Sequence, residues 1–238
     1  GAEEREKILR ERGLPEVAPT TPGGSGGVLA LLRHRSMWGI ALVQGAAVYT
    51  QYLFLTWLPG YLEQERGMSV LSSGAFTALP YFIATVLGIA VGVVVDRVLS
   101  GRARAGGQRR IAVAGFLLVS SVVLLTPFVG SIVVVIGLIT IALTCVSSAV
   151  SMNLALLADL LRSPRLAGRA NGIAVVGGNI FGLAAPIVTG YVVQFTHSYT
   201  AAFVVAGVFL LLGTTIALTM TRTPIGRADT EQLPVTAP

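Results

Sequence analysis

Charge is scarce in this chain. Only 12% of its 238 residues are charged, against about 25% in a soluble domain. Eleven of the 28 charged side chains fall in residues 1–35, and only thirteen lie between Met37 and Met220. The stretches between them cannot make a water-facing surface, which excludes a soluble globular fold. Cysteine is nearly absent. Cys145 alone cannot form an intrachain disulfide, and it reads as a small apolar space-filler. The two histidines, His34 and His197, lie in loops and are not placed for metal binding or catalysis, so no metal and no cofactor are expected. Period-two alternation is missing from the apolar runs, which excludes a transmembrane β-barrel. Lysine occurs once beside sixteen arginines, the bias of a GC-rich bacterial genome.

What is present is apolar length. A helix needs about 20 mostly apolar residues to cross ~30 Å of hydrocarbon. Six runs qualify, at roughly 37–62, 71–95, 111–128, 132–158, 171–195 and 200–220. Helices are the remaining way to satisfy every backbone group in lipid. The expected fold is therefore an all-α membrane protein, a six-transmembrane-helix bundle over 37–220. Residues 1–36 carry a polar opening (AEEREKILRER), a linker (VAPTTPGGSGG) and a surface segment (VLALLRHRSM); residues 221–238 form a tail. The opening starts at Gly1 and reads as the end of something upstream, so a longer parent protein is expected.

The net charge of +6 does not indicate nucleic acid, because the arginines sit in short loops between spans. Arg97, Arg102, Arg104, Arg109 and Arg110 follow the second run, and Arg162, Arg165 and Arg169 follow the fourth. Arg222 and Arg227 follow the sixth, while the alternate loops hold only Arg66, beside Glu63 and Glu65. The arginine-rich loops are expected to be cytoplasmic, with both termini on that side of a bacterial inner membrane. Three spans followed by three of similar length also fit a 3+3 inverted repeat, a recurrent transporter design.

The sharpest local feature is Gly92-x-x-x-Asp96-Arg97-x-x-x-Gly101-Arg102. Gly92 permits close backbone approach. Asp96, at a helix end, is suited to a neighbouring helix N-terminus, where the dipole favours an anion. This stretch resembles the loop signature of the major facilitator superfamily. Within it, TWLPGYLEQERGMS (56–69) and the 163–208 stretch, with Pro164, Gly168, Gly178-Asn179-Ile180-Phe181-Gly182, Pro186 and Thr189-Gly190, are similar to the anion:cation symporter family. The resemblance covers almost the whole chain. It implies the C-terminal half of a twelve-helix transporter, spans seven to twelve, with a missing N-terminal six-helix half as partner. It further implies a small organic anion such as a sugar acid as substrate, and a proton or sodium as coupling ion. One departure is the stretch SMNLALLADLLRSP, which has no Trp where the family often carries one.

The apolar spans hold no Lys or Arg and no acid apart from Asp96 and Asp159 near their ends. An intramembrane charge costs roughly 2.5–3.5 kcal/mol on insertion scales. This segment therefore offers a substrate neutral polar contacts only. Asn179, between glycines, is the leading candidate and matches a cavity-facing family position. Gln44, Tyr49, Gln51 and Tyr52 cluster in the first span, and Gln44 and Gln51, seven apart, share a face. Ser148 and Ser151, with Ser147, add hydroxyls in the fourth. Gly92, Asp96, Arg97, Arg102, Asp159, Arg162 and Arg169 are the expected gating set at the cytoplasmic edge. Gly88-x-x-x-Gly92 and Gly178-x-x-x-Gly182 read first as close-packing sites. Trp38, Trp57 and Tyr61 read as interface anchors. An intramembrane enzyme needs a nucleophile with a base at depth, and no span holds a histidine or a carboxylate pair. The remaining rival to a transporter is a receptor or assembly subunit on the same fold.

Overall fold

Long apolar sequence folds as helices because lipid offers the backbone no other partner, and Pro59, Pro80 and Pro186 are carried inside them. The computed structural model describes residues 26–98, 107–163 and 166–226. A short helix α1 (Gly26–Leu32) leads into α2 (Arg35–Gln64), and α3 (Val70–Val98) follows. Helix α4 (Gln108–Ser120) tightens into a 3-10 segment (Ser121–Phe128). Then come α5 (Ile132–Leu160), α6 (Ala167–Thr196) and α7 (Tyr199–Met220). Each expected span matches one of these, with bounds shifted by a few residues.

Five of these segments, α3, α4 with its 3-10 extension, α5, α6 and α7, are long and apolar enough to cross a membrane. Helix α2 is equally long, at 30 residues, or about 45 Å at 1.5 Å per residue. It carries Gln44, Tyr49, Thr50, Gln51, Tyr52 and Thr56 in its middle, which lowers its apolarity. The long segment that falls short of this apolarity is the central one. It packs most extensively on α6, and also on α7, α5 and α3, and Tyr49, Leu53, Phe54 and Leu58 are almost completely buried.

Small residues make the α2–α6 contact. A Cβ on Gly178 would lie 2.7 Å from Gln44 Cγ, and one on Gly182 would lie 2.9 Å from Val48 Cγ1. In return, Gly45 of α2 accepts the ring of Phe181. The Gly178–Gly182 pair is thus a close-packing site, as its spacing predicts. Gly88 and Gly92 are not: a Cβ at either would meet nothing within 4 Å. Helix α3 buries Ser73, Thr77, Pro80 and Ala84 along one stripe and is otherwise largely exposed, so its second half diverges from the bundle.

The arginine-bearing end is knitted together. Ser36 Oγ donates to Met220 O (3.1 Å) and sits 2.8 Å from Thr223 Oγ1. Past α7 the chain pairs in extended form with the end of α5: Ile225 N donates to Leu160 O (2.7 Å) and Arg162 N to Ile225 O (3.1 Å). Gly226 N donates to His34 Nε2 at 3.3 Å. At the opposite end Arg66 donates to Tyr61 Oη (3.0 and 2.9 Å), Gly130 O (2.8 Å) and Val129 O (3.2 Å), fastening α2 to the turn before α5. Glu65 accepts from Tyr199 N (3.3 Å) at the start of α7, where the helix dipole favours an anion.

Candidate functional site

Lipid solvates polar side chains poorly, so exposed polar groups at mid-depth identify a surface meant for something else. Four of the sequence candidates lie on such surfaces. Asn179 is exposed near the middle of α6, its amide donating to Val175 O (2.9 Å). One turn on, Gly182 seats the half-buried ring of Tyr52, whose Cδ2 lies 3.2 Å from where a Cβ would be. Asn179 and Tyr52 therefore border the same α2–α6 seam. Gln51, next to Tyr52, donates from Nε2 to Ser147 Oγ of α5 (3.1 Å). Its backbone carbonyl accepts from Tyr81 Oη of α3 (2.9 Å). Ser151 is exposed one turn beyond Ser147 and donates to Ser147 O (3.3 Å). Gln51 thus joins α2 to α5 and α3 by hydrogen bonds, Tyr52 and Asn179 border the α2–α6 seam, and none of these mid-helix polar side chains is charged.

Other candidates sit elsewhere. Gln44 is 4% exposed, accepting from Asn153 Nδ2 (2.9 Å) and lying under Gly178, so it faces the bundle interior. Tyr49 is 1% exposed and turned toward α7, with its ring centroid 4.7 Å from that of Phe209. Ser148 is buried and donates to Thr144 O (2.9 Å). Gln44 and Gln51 thus differ in burial although α2 stays against α6 past both, with Tyr52 beside Gly182 and Trp57 beside Gly190.

The gating set is dispersed along the arginine end. Gly92 lines an open cleft. Arg97 is exposed near the end of α3, while the Asp96 side chain and all of Arg102 lie outside the described residues. Asp159 pairs with Arg109 Nη1 at 2.8 Å, joining the end of α5 to the start of α4; its ion-pair partner is thus Arg109 rather than the nearer-in-sequence Arg162, which is exposed. Arg169 lies over Gly27 of α1, where a Cβ would collide with its guanidinium.

Sequence reasoning missed Asn153. It is fully buried in α5 and donates to Ile40 O (3.0 Å) as well as to Gln44, tying α5 to α2. The rule that singled out Asn179, an amide in an apolar span, applied equally to Asn153.

A sequence model described as Major Facilitator Superfamily matches residues 2–161. The chain belongs to this superfamily. The resemblance read from the Gly92–Arg102 loop is borne out, and the protein is a multi-pass membrane protein. A protein of Escherichia coli (strain K12) named "Probable L-galactonate transporter" is 29% identical over 197 residues, 82% of this chain and 43% of its own length. One of Bacillus subtilis (strain 168) named "Probable galactarate/D-glucarate transporter GudP" is 32% identical over 179 residues, covering 74% and 38%. A "Probable sulfoacetate transporter SauU" of Cupriavidus necator is 30% identical over 190 residues, covering 77% and 43%. The chain spans about two fifths of the length of these curated superfamily relatives.

Proposed function

We propose that this chain is the C-terminal six-helix half of a secondary transporter that moves a small organic carboxylate, such as a sugar acid, by alternating access with proton symport. The observation that carries this reading is the set of polar, uncharged mid-helix side chains Asn179, Tyr52, Gln51 and Ser151, which in this reading form one wall toward the substrate. Such a wall binds hydroxyls and carboxylate oxygens by hydrogen bonds but cannot neutralise an anion. The cation and the proton carrier then come from a partner six-helix half, and the two halves rock about the site. The relatives' names, which specify sugar acids and sulfoacetate, support a small anion. In this reading both ends of the chain are cytoplasmic. Gly92, Asp96, Arg97, Arg102, Arg162 and Arg169 form one side of a cytoplasmic gate, while Asp159 braces it through Arg109. Gln44 and Tyr49 hold α2 in place behind the wall.

The test is Asn179→Ala in the full-length protein. One hydrogen bond contributes about 0.5–1.5 kcal/mol net, so the transport KM is expected to rise roughly 2–12-fold with membrane abundance maintained. Unchanged kinetics would remove Asn179 from the site.

A further inference from the structure

A cleft of about 430 Å³ opens between α3, α4 and α5, lined among others by Gly88, Gly92, Phe116, Ser147, Ser148 and Ser151. Small-molecule pockets span about 300–1,000 Å³, and about 150 Å³ is enough to hold benzene. Among the described residues no charged side chain lines the cleft. It exists because the second half of α3 diverges and presents Gly88 and Gly92, beside which a Cβ would meet nothing within 4 Å. It is joined to the polar wall through Ser147, whose hydroxyl accepts from Gln51.

The hydroxyls of the cleft have a definite polarity. Ser148, Ser151 and Thr85 each donate their proton to a backbone carbonyl, at 2.9, 3.3 and 2.8 Å. Each therefore presents oxygen lone pairs; Ser147, which accepts from Gln51, is the one lining hydroxyl with a proton to give, and the rest of the lining is apolar. Such a lining accepts a hydroxyl donor on an apolar body and disfavours a carboxylate, which would find neither a cation nor enough donors. We propose that this cleft is a side pocket of the substrate site, holding the uncharged, hydroxyl-bearing, ring-sized tail of a carboxylate. The charged end stays at the Gln51–Asn179 wall. This rests on the transporter reading above and adds to it the shape and polarity of the substrate's tail.

The experiment uses the full-length protein in proteoliposomes, with D-galactonate and 3-(4-hydroxyphenyl)propanoate as paired probes. Wild type is expected to carry both. Gly88→Leu, which fills the cleft, is expected to lower the ratio of kcat/KM for the aryl acid to that for galactonate at least tenfold, through the aryl KM. Ser151→Ala is expected to reduce the preference for this acid over 3-phenylpropanoate about threefold. Transport of galactonate alone by wild type overturns the proposal and leaves the transporter reading standing. An unchanged ratio in Gly88→Leu, or equal loss of both substrates, overturns it too and assigns the cleft to packing or lipid. Transport of no organic anion defeats the transporter reading itself.

Discussion

The α2–α6 seam can be tested by exchanging one methyl group across it. A Cβ on Gly177 would stand 2.9 Å from Ala41 Cβ, well inside van der Waals contact, while Ala41 Cα and O would lie at 3.6 and 3.7 Å. An alanine methyl cannot swing aside, so Gly177→Ala must push two helices apart. Overpacking of this kind costs about 1–3 kcal/mol, offset by up to about 1 kcal/mol of helix propensity gained. Ala41→Gly alone should lose about 1 kcal/mol of propensity. In the double variant the propensities cancel and the collision disappears, so stability should return close to wild type. The coupling between the two sites is then about 1–3 kcal/mol, above the ~0.5 kcal/mol scatter of additive pairs. Thermal unfolding in detergent would register it as a shift of roughly 2–4 °C per kcal/mol for a chain of this size. Strict additivity of the two single variants would refute the close-packed seam.

Three further outcomes follow from buried or bridging polar groups. Asn153→Ala removes two interhelical bonds and should lower the melting temperature in detergent by about 2–5 °C, taking ~0.6 kcal/mol for each bond plus the packing lost; an unchanged melting temperature argues against the α2–α5 tie. Arg66→Ala should free the turn at Val129–Gly130, read as faster hydrogen exchange there and in the last turn of α2, and equal exchange in both proteins would count against the clasp. The Arg109–Asp159 pair is partly exposed, at 12% and 31%, so a double-mutant cycle should return less than about 1 kcal/mol. A larger coupling would mean that the pair is sealed from water in the intact protein.

The sequence carried the helices more clearly than their faces. Six apolar runs predicted six long helical segments, five of them apolar enough to cross a membrane, because lipid penalises an unpaired backbone everywhere along a run. Facing was harder, since lipid-facing and interior residues are both apolar and periodicity loses contrast. Gly88–Gly92 and Gly178–Gly182 have identical spacing, yet only the second pair meets a neighbouring helix; the difference lies in where α3 diverges, a tertiary fact. Gln44 and Gln51 share a stripe, yet one is buried and the other half-buried, because their neighbours differ along α2. Asn179 and the serines of α5 were readable, as polar groups in oil carry a cost that needs a reason. Arg109 as the partner of Asp159 was not, because fifty residues separate them and the fold alone brings them together.

The low apolarity of α2 bears on how the protein enters the membrane. Helix α2 is made before α6, the helix that covers most of its seam, and α3, α4 and α5 are synthesised in between. During that interval Gln44 and the glycine-ready groove lack their final cover, and lipid is a poor substitute. Helix α2 must therefore be sheltered, by the insertion machinery or by helices already in place, until α6 arrives. Assembly is then a problem of timing, in which the central helix waits for α6 and α7 to complete its cover.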